Sequence, residues 1–180
     1  MKTSKRALLL LDVDGPLNPF EVQPRCPTGY TSHLLKPANW VNAHGGDPER
    51  APFLRVDLNP AHGPALAALP FELVWATSWM DQANDMIGPA VGLPRLPYID
   101  WGETLFVRDP DGLHWKTRAL VAYAADRPFV WVDDEPGDLD RAWVADHHAG
   151  PALVHTVSAE FGLTDDDFAL LRTWAEELRR

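Results

Sequence analysis

A chain of 180 residues is long enough for one domain, and its formal net charge of −10 argues against nonspecific binding to nucleic-acid phosphates. Hydrophobic residues make up 46% of the chain and charged residues 23%, so it can bury a core and is not predicted to be disordered. The single cysteine, Cys26, excludes an intramolecular disulfide and offers too few thiols for a zinc cluster, which favours a cytoplasmic location.

The first predicted element is a buried strand at residues 7–11. Its uninterrupted apolar run is typical of a strand covered on both faces of a parallel sheet, and it is too short for a signal peptide or a membrane span. Residues 18–56 follow, rich in Pro, Gly, Asn and His but without a sustained helical or strand period. They predict an irregular flap inserted after the first strand, a kind of long loop that often carries function.

Strands and helices alternate through the rest of the chain. Apolar runs predict further strands at residues 72–76, 128–132 and 152–157, and a short strand at 105–107. Helical spacing predicts helices at residues 64–69, 79–87, from Lys116, at 138–147 and from Thr164. This alternation predicts an α/β fold with a mostly parallel sheet, whose binding crevice lies at the carboxyl ends of its strands.

Two carboxylates, Asp12 and Asp14, follow the first predicted strand. They project in related directions and would repel each other strongly unless a cation lies between them. The same residues, followed by Gly15, also suit an ordinary turn after a strand. The clean apolar run before them favours the functional interpretation.

Two further strand ends carry polar residues. Thr77 and Ser78 follow one buried strand, where they either bind an anion together with nearby backbone N–H groups or cap a helix. Asp133 and Asp134 follow another, where they suit Mg²⁺ ligation or an acidic loop. Lys116 opens a predicted helix, and by itself it is typical of a solvated surface lysine.

The order of these motifs is an acid pair, then Thr or Ser, then Lys, then a second acid pair. Over about residues 7–142 this order resembles the haloacid-dehalogenase-like (HAD) superfamily, most specifically in the four leucines followed by Asp12-Val-Asp14-Gly-Pro-Leu. Pro16 stands where the family usually has Thr or Val. The resemblance implies a Rossmann-like three-layer sandwich forming a single domain over residues 1–180, without a full cap domain.

The resemblance further implies a Mg²⁺-dependent phosphomonoester hydrolase that acts on a phosphorylated substrate. Asp12 would be the nucleophile that forms an aspartyl-phosphate, and Asp14 the general acid and base. Thr77, Ser78 and Lys116 would bind the transferring phosphate. The residues implied to hold Mg²⁺ are Asp12, Asp14 through its backbone carbonyl, Asp133 and Asp134.

Other functions stay open at this point. A catalytically idle HAD-like binding module would keep the same motifs, because folds outlive functions. A phosphatase acting on nucleic-acid ends is a second alternative, suggested by the wording Trp-Ala-Thr-Ser-Trp around Thr77. A phosphorelay receiver domain uses similar residue types, but their order and spacing here do not fit it.

Four tryptophans lie close to these motifs. Trp75 and Trp131 fall inside predicted strands and are predicted to belong to the core. Trp79 and Trp115 either pack in the core or wall a cleft in which an aromatic ring stacks on a flat substrate.

A flap without a full cap predicts an open cleft, which suits a phosphate carried by a macromolecule such as a nucleic-acid end or a protein side chain. Residues 18–56 carry four basic and three acidic side chains, a net charge of +1 against −11 for the rest of the chain. The candidates for contact with such a partner are His33, Lys36, His44, Arg50 and Arg55.

Overall fold

The structure is a computed structural model, and it describes residues 6–21 and 26–180. In chain order its elements are β1 (Leu8–Leu11), β2 (Thr31–Leu35), α1 (Ala38–Ala43), β3 (Leu54–Leu58), α2 (His62–Ala67), β4 (Glu72–Trp75), α3 (Gln82–Met86), α4 (Gly88–Val91), a 3-10 turn at Gly102–Thr104, α5 (Thr117–Ala124), β5 (Phe129–Asp133), α6 (Asp138–His147), β6 (Ala152–Thr156) and α7 (Asp165–Glu177). Among the helices in this described part, none has both the length and the apolar character needed to cross a membrane.

Strands β4, β1, β5 and β6 form one parallel sheet in that order. The central strand β1 pairs Leu8 with Glu72 of β4 on one side and with Phe129 of β5 on the other. The predicted α/β fold with a mostly parallel sheet is therefore confirmed. Because the four strands run the same way, their carboxyl ends meet at one edge of the sheet.

The side chains of β1 alternate between two hydrophobic clusters. Leu9 belongs to a cluster that includes Phe168 of α7, whereas Leu8 belongs to another with Leu120 of α5 and Val144 of α6. Packing on both faces leaves no polar position inside β1, and each buried leucine stabilises the fold by about 1.5–3 kcal/mol. The strand can become polar only where it leaves the sheet, and its first acidic residues stand there.

The segment inserted after β1 is not the irregular flap that the sequence predicted. Strands β2 and β3 pair antiparallel, with Thr31 opposite Leu58, and α1 lies in the connection between them. Val56 of β3 is fully buried in the cluster that contains Leu9. The prediction was wrong because β2 is a largely exposed strand whose sequence does not alternate strictly. Residues 22–25 of the insertion lie outside the described residues.

Two smaller predictions also need correction. Residues 105–107 do not form a strand; they follow the 3-10 turn, and Phe106 has a positive φ of 58°. The single helix predicted at 79–87 is instead a turn followed by the short helix α3. Gly88 and Pro89 do not end the helical segment there, because they begin a second short helix, α4.

Candidate active site

Two of the predicted site residues leave neighbouring strands side by side. Strands β1 and β5 pair in parallel register with Leu11 opposite Val132, which places Asp12 and Asp133 next to each other at the carboxyl edge. Lys116 is the residue at the N-terminus of α5, and its side chain reaches both carboxylates.

The Lys116 ammonium lies between two buried carboxylates. Its Nζ is 2.6 Å from Asp12 Oδ2 and 2.7 Å from Asp133 Oδ2. The Lys116 side chain is 2% exposed and that of Asp133 is fully buried, so the interpretation of Lys116 as a solvated surface lysine is wrong. Asp133 also accepts hydrogen bonds from the indole of Trp131 and the backbone N–H of Glu135.

Burial and charge act against each other in this group. Burial disfavours the ammonium of Lys116, but the charges of Asp12 and Asp133 outweigh this effect and raise the pKa of Lys116. Burial also acts on Asp133, where Lys116 outweighs it and lowers the pKa of that carboxyl. Burial raises the pKa of Asp12 well above its ordinary value, and Lys116 offsets only part of this rise.

A third carboxylate, Asp134, adds to the negative charge of this edge. Burial, followed by the charge of Asp133, raises the pKa of Asp134 to about 6. One carboxylate oxygen from each of Asp12, Asp133 and Asp134 lies within 4.8 Å of the other two. This set of hard oxygen donors fits a divalent cation such as Mg²⁺, which would balance charge that Lys116 alone does not.

Asp14 stands apart from this group and is held by two other side chains. Its Oδ1 accepts a hydrogen bond from Asn18 Nδ2, and its Oδ2 accepts one from the indole N–H of Trp79, each at 2.8 Å. Asn18 in turn accepts a hydrogen bond from the backbone N–H of Asp57 in β3. The hairpin of β2 and β3 is thereby linked to the Asp14 carboxylate, while a metal role for the Asp14 carbonyl stays a prediction.

Asn18 and the donor role of Trp79 were missed at the level of the sequence. Trp79 is 3% exposed, so it belongs to the core and contacts the site at the same time. A signal for Asn18 was its place four residues after Asp14, within the same turn. Trp75 and Trp131 are fully buried, as predicted.

Thr77 and Ser78, in the turn that follows β4, occupy different positions. Thr77 is fully buried, and its carbonyl accepts a hydrogen bond of 2.8 Å from the indole of Trp101. Its hydroxyl accepts a longer one from the backbone N–H of Trp79. Ser78 instead lines the cleft beside the acids, so it is the better placed of the two to meet a ligand.

The carboxylates of this group border a cleft with a volume of about 190 Å³. Its lining consists of acidic, aromatic and donor side chains, namely Asp12, Asp14, Phe20, Ser78, Phe106, Trp115, Lys116, Asp134 and Glu135. A larger cavity of about 310 Å³ lies at the opposite edge of the sheet, lined by apolar residues together with Arg6 and Arg179. The smaller cleft is the candidate site because it alone of these two contains the converging carboxylates.

The five basic residues proposed for partner contact do not line this cleft. Arg50 and Arg55 pair with the aspartates at 47 and 57, Lys36 donates to a backbone carbonyl of the insertion, and His44 Nδ1 lies 2.8 Å from the Trp40 carbonyl. His33 lies on β2 opposite Val56. Four of these five side chains are thus engaged within the insertion, and a macromolecular partner stays a prediction.

No family model, curated protein or solved structure matches this chain. The resemblance to the HAD superfamily therefore stays a prediction, and the functional assignment depends on the geometry of the site.

Replacing Lys116 with methionine tests the buried ion pairs. The substitution keeps most of the side-chain volume but leaves Asp12 and Asp133 without their cation, so the free energy of unfolding should fall by about 3–5 kcal/mol. Urea denaturation at pH 7 without divalent cations measures this loss. The double variant K116M/D133N should recover at least half of it, and a K116M variant as stable as the parent would contradict the pairing.

Replacing Gly15 with alanine tests the position of Asp134. Gly15 has a φ of +83°, and a Cβ there would overlap the Asp134 side chain. Gly45 is a matched control, because its φ is +95° but a Cβ at that position would meet no other atom within 4 Å. Gly45→Ala should cost about 1–2 kcal/mol through backbone strain alone. Gly15→Ala should cost more and weaken divalent-cation binding; equal melting temperatures and equal cation binding for the two variants would refute this.

Proposed function

We propose that this chain is a Mg²⁺-dependent phosphomonoester hydrolase of the HAD-like type, working through an aspartyl-phosphate on Asp12. The observation that carries the proposal is the clustering of Asp12, Asp133 and Asp134, with the buried Lys116 ammonium bonded to the first two and Asp14 held separately. This arrangement would supply a nucleophile, a cation site and an acid/base group within one cleft.

The fold that we propose for this enzyme is a Rossmann-like three-layer sandwich in a single domain, without a full cap. Two observations support it: helices cover both faces of the sheet, and the described residues of the insertion form one hairpin and one short helix. A cytoplasmic location belongs to the same proposal and is supported by the single cysteine.

Asp12 is suited to attack phosphorus because its carboxylate is fixed on both sides. Oδ1 accepts a hydrogen bond of 2.7 Å from the backbone N–H of Val13, and Oδ2 is bonded to Lys116. Attack by an Asp12 oxygen forms a phosphorus–oxygen bond while the ester oxygen departs, which leaves an aspartyl-phosphate.

Asp14 is suited to move protons at the ester oxygen. It lines the cleft, and its bonds to Asn18 and Trp79 orient the carboxyl group. In the first half-reaction it would protonate the departing oxygen. In the second it would accept a proton from the water that hydrolyses the aspartyl-phosphate.

The phosphate oxygens would be met by donors on the other walls of the cleft. Lys116 has three N–H donors, and two are taken by Asp12 and Asp133, which leaves one for the phosphate. Ser78, in the turn after β4, lines the cleft and would contribute a hydroxyl. These groups would stabilise charge that develops on the transferring phosphoryl group.

Asp12, Asp133 and Asp134 would hold Mg²⁺, with the backbone carbonyl of Asp14 as a further oxygen ligand. Bound there, Mg²⁺ supplies positive charge that offsets the carboxylates and attracts a phosphate dianion.

Replacing Asp12 with asparagine tests the nucleophile. Turnover of 4-nitrophenyl phosphate with Mg²⁺ should fall by at least about 10³-fold, because the covalent route is lost while the side-chain shape is kept. Asp85→Asn is the control, since that side chain on α3 is 62% exposed and does not line the cleft. A folded D12N variant with most of its activity would overturn the mechanism, and a parent that binds Mg²⁺ without turning over any phosphate would indicate a binding module.

Thermal unfolding with and without Mg²⁺ tests the cation site. An ion that binds only the native state raises its stability by about 2.7 kcal/mol at one hundred times the dissociation constant, so the melting temperature should rise. Asp134→Asn should remove at least half of this shift. Glu135→Gln should keep the shift, because Glu135 lines the same cleft but is not one of the three clustered carboxylates. A full shift retained in Asp134→Asn would remove Asp134 from the cation site, and an equal loss in Glu135→Gln would show that the three clustered carboxylates do not define it.

A further inference from the structure

Aromatic side chains form part of the cleft wall next to the acids. Phe20, Phe106 and Trp115 line the same cleft as Asp12 and Lys116. Phe106 is 61% exposed and Phe20 is 38% exposed, so both rings present apolar surface to water at the cleft. Covering these rings with a ligand would remove apolar surface from water and is therefore favourable.

The aromatic rings on this side of the cleft are packed, one against the next, onto a ring of the hydrophobic core. Trp101 is 3% exposed and donates its indole N–H to the carbonyl of Thr77. Trp115 packs edge-on against Trp101 with 4.9 Å between ring centroids, and Phe106 packs against Trp115 at 5.1 Å. The outermost ring is thus fixed, through two others, to the backbone at the end of β4.

Two local features hold these rings beside the side chains that would donate hydrogen bonds to the phosphate. Trp115 directly precedes Lys116, so one turn of the chain positions both the ring and the ammonium. Phe106 has a φ of 58°, a left-handed conformation that is rare for a bulky residue and costs about 1–2 kcal/mol. The fold tolerates this cost at a residue whose ring borders the cleft.

The charges of the cleft limit what else a ligand can carry. Lys116 is the one basic side chain among the described residues that line it, and that ammonium already contacts two carboxylates. His114, next to the cleft, is engaged with Glu135 at 2.7 Å. A second phosphate or a carboxylate on the substrate would meet Asp14, Asp134 and Glu135 without a cation of its own.

We propose that the cleft selects a monophosphate ester whose leaving group carries one flat, uncharged ring, which packs against Phe106, Trp115 and Phe20. This inference rests on the proposed phosphatase function and names its substrate class.

The experiment compares benzyl, cyclohexylmethyl and ethyl phosphate as substrates of the parent with saturating Mg²⁺. All three release a primary alcohol, so the chemical step is similar and the leaving group differs in size and flatness. The kcat/KM for benzyl phosphate should be about 10-fold or more above the kcat/KM for ethyl phosphate. It should be about 5-fold above the kcat/KM for cyclohexylmethyl phosphate.

The variants Phe106→Ala and Phe20→Ala test whether these rings cause the preference for benzyl phosphate. Each should lower the benzyl-to-ethyl ratio of kcat/KM by about 5-fold or more, mainly through KM for benzyl phosphate. Phe53→Ala is the matched control: Phe53 is 59% exposed, lies outside the cleft, and its loss should leave the ratio unchanged. Melting temperatures show whether each variant is folded, and Phe106→Leu, which keeps an apolar side chain without a ring, provides a second test of flatness.

A second set of substrates tests whether additional phosphates are rejected and whether the ring can belong to a nucleotide. Adenosine 5′-monophosphate carries one phosphate on a primary alcohol together with a flat ring, and a kcat/KM above that for ethyl phosphate supports the proposal. Adenosine 3′,5′-bisphosphate and a 5′-phosphorylated oligonucleotide carry further phosphates, and a preference for them would overturn it. Equal kcat/KM for the benzyl, cyclohexylmethyl and ethyl esters, unchanged in Phe106→Ala, would also overturn it while leaving the phosphatase function intact. Absence of turnover for every ester would instead refute the proposed function.

Discussion

The buried contact of the Lys116 ammonium with Asp12 and Asp133 is the constraint on which the site depends. Charges removed from water destabilise a fold unless they are paired and hydrogen-bonded, so these three groups must arrive together. Parallel pairing of β1 with β5 delivers the two carboxylates, and the start of α5 delivers the ammonium. Once Asp134 joins them, one positive charge faces three acids, and a divalent cation is the simplest partner that restores the balance.

The hairpin inserted after β1 has a place in the same site. The Asp57 backbone bonds Asn18, and Asn18 bonds Asp14, so the acid/base candidate is oriented partly by an element outside the main sheet. Trp79 completes the orientation from the opposite side, after β4. The proposed nucleophile, Asp12, is therefore held by the sheet and a helix, whereas the proposed acid/base group, Asp14, is held by the hairpin and a buried indole. The two can be altered separately by mutation.

The sheet and most of the acidic residues of the site could be predicted from local sequence. Apolar runs marked β1, β4, β5 and β6, and polar residues directly after three of them marked the carboxyl edge, because a strand buried on both faces can turn polar only where it ends. The features that local sequence could not predict depend on contacts between residues far apart in the chain. The burial of Lys116 follows from carboxylates 104 and 17 residues away, and the hydrogen bond from Trp79 to Asp14 spans 65 residues. Strand β2 has no apolar alternation because it is largely exposed and buries no apolar face.

Chemical trapping shows whether the Asp12 carboxylate becomes phosphorylated during turnover. Parent protein in turnover with benzyl phosphate and Mg²⁺ is quenched in acid and reduced with borohydride, which converts an aspartyl-phosphate to homoserine, and peptide mass spectrometry locates the change. We expect homoserine at position 12 only when both substrate and Mg²⁺ are present. Steady phosphate release with position 12 unchanged, or reduction at another carboxylate, would contradict it.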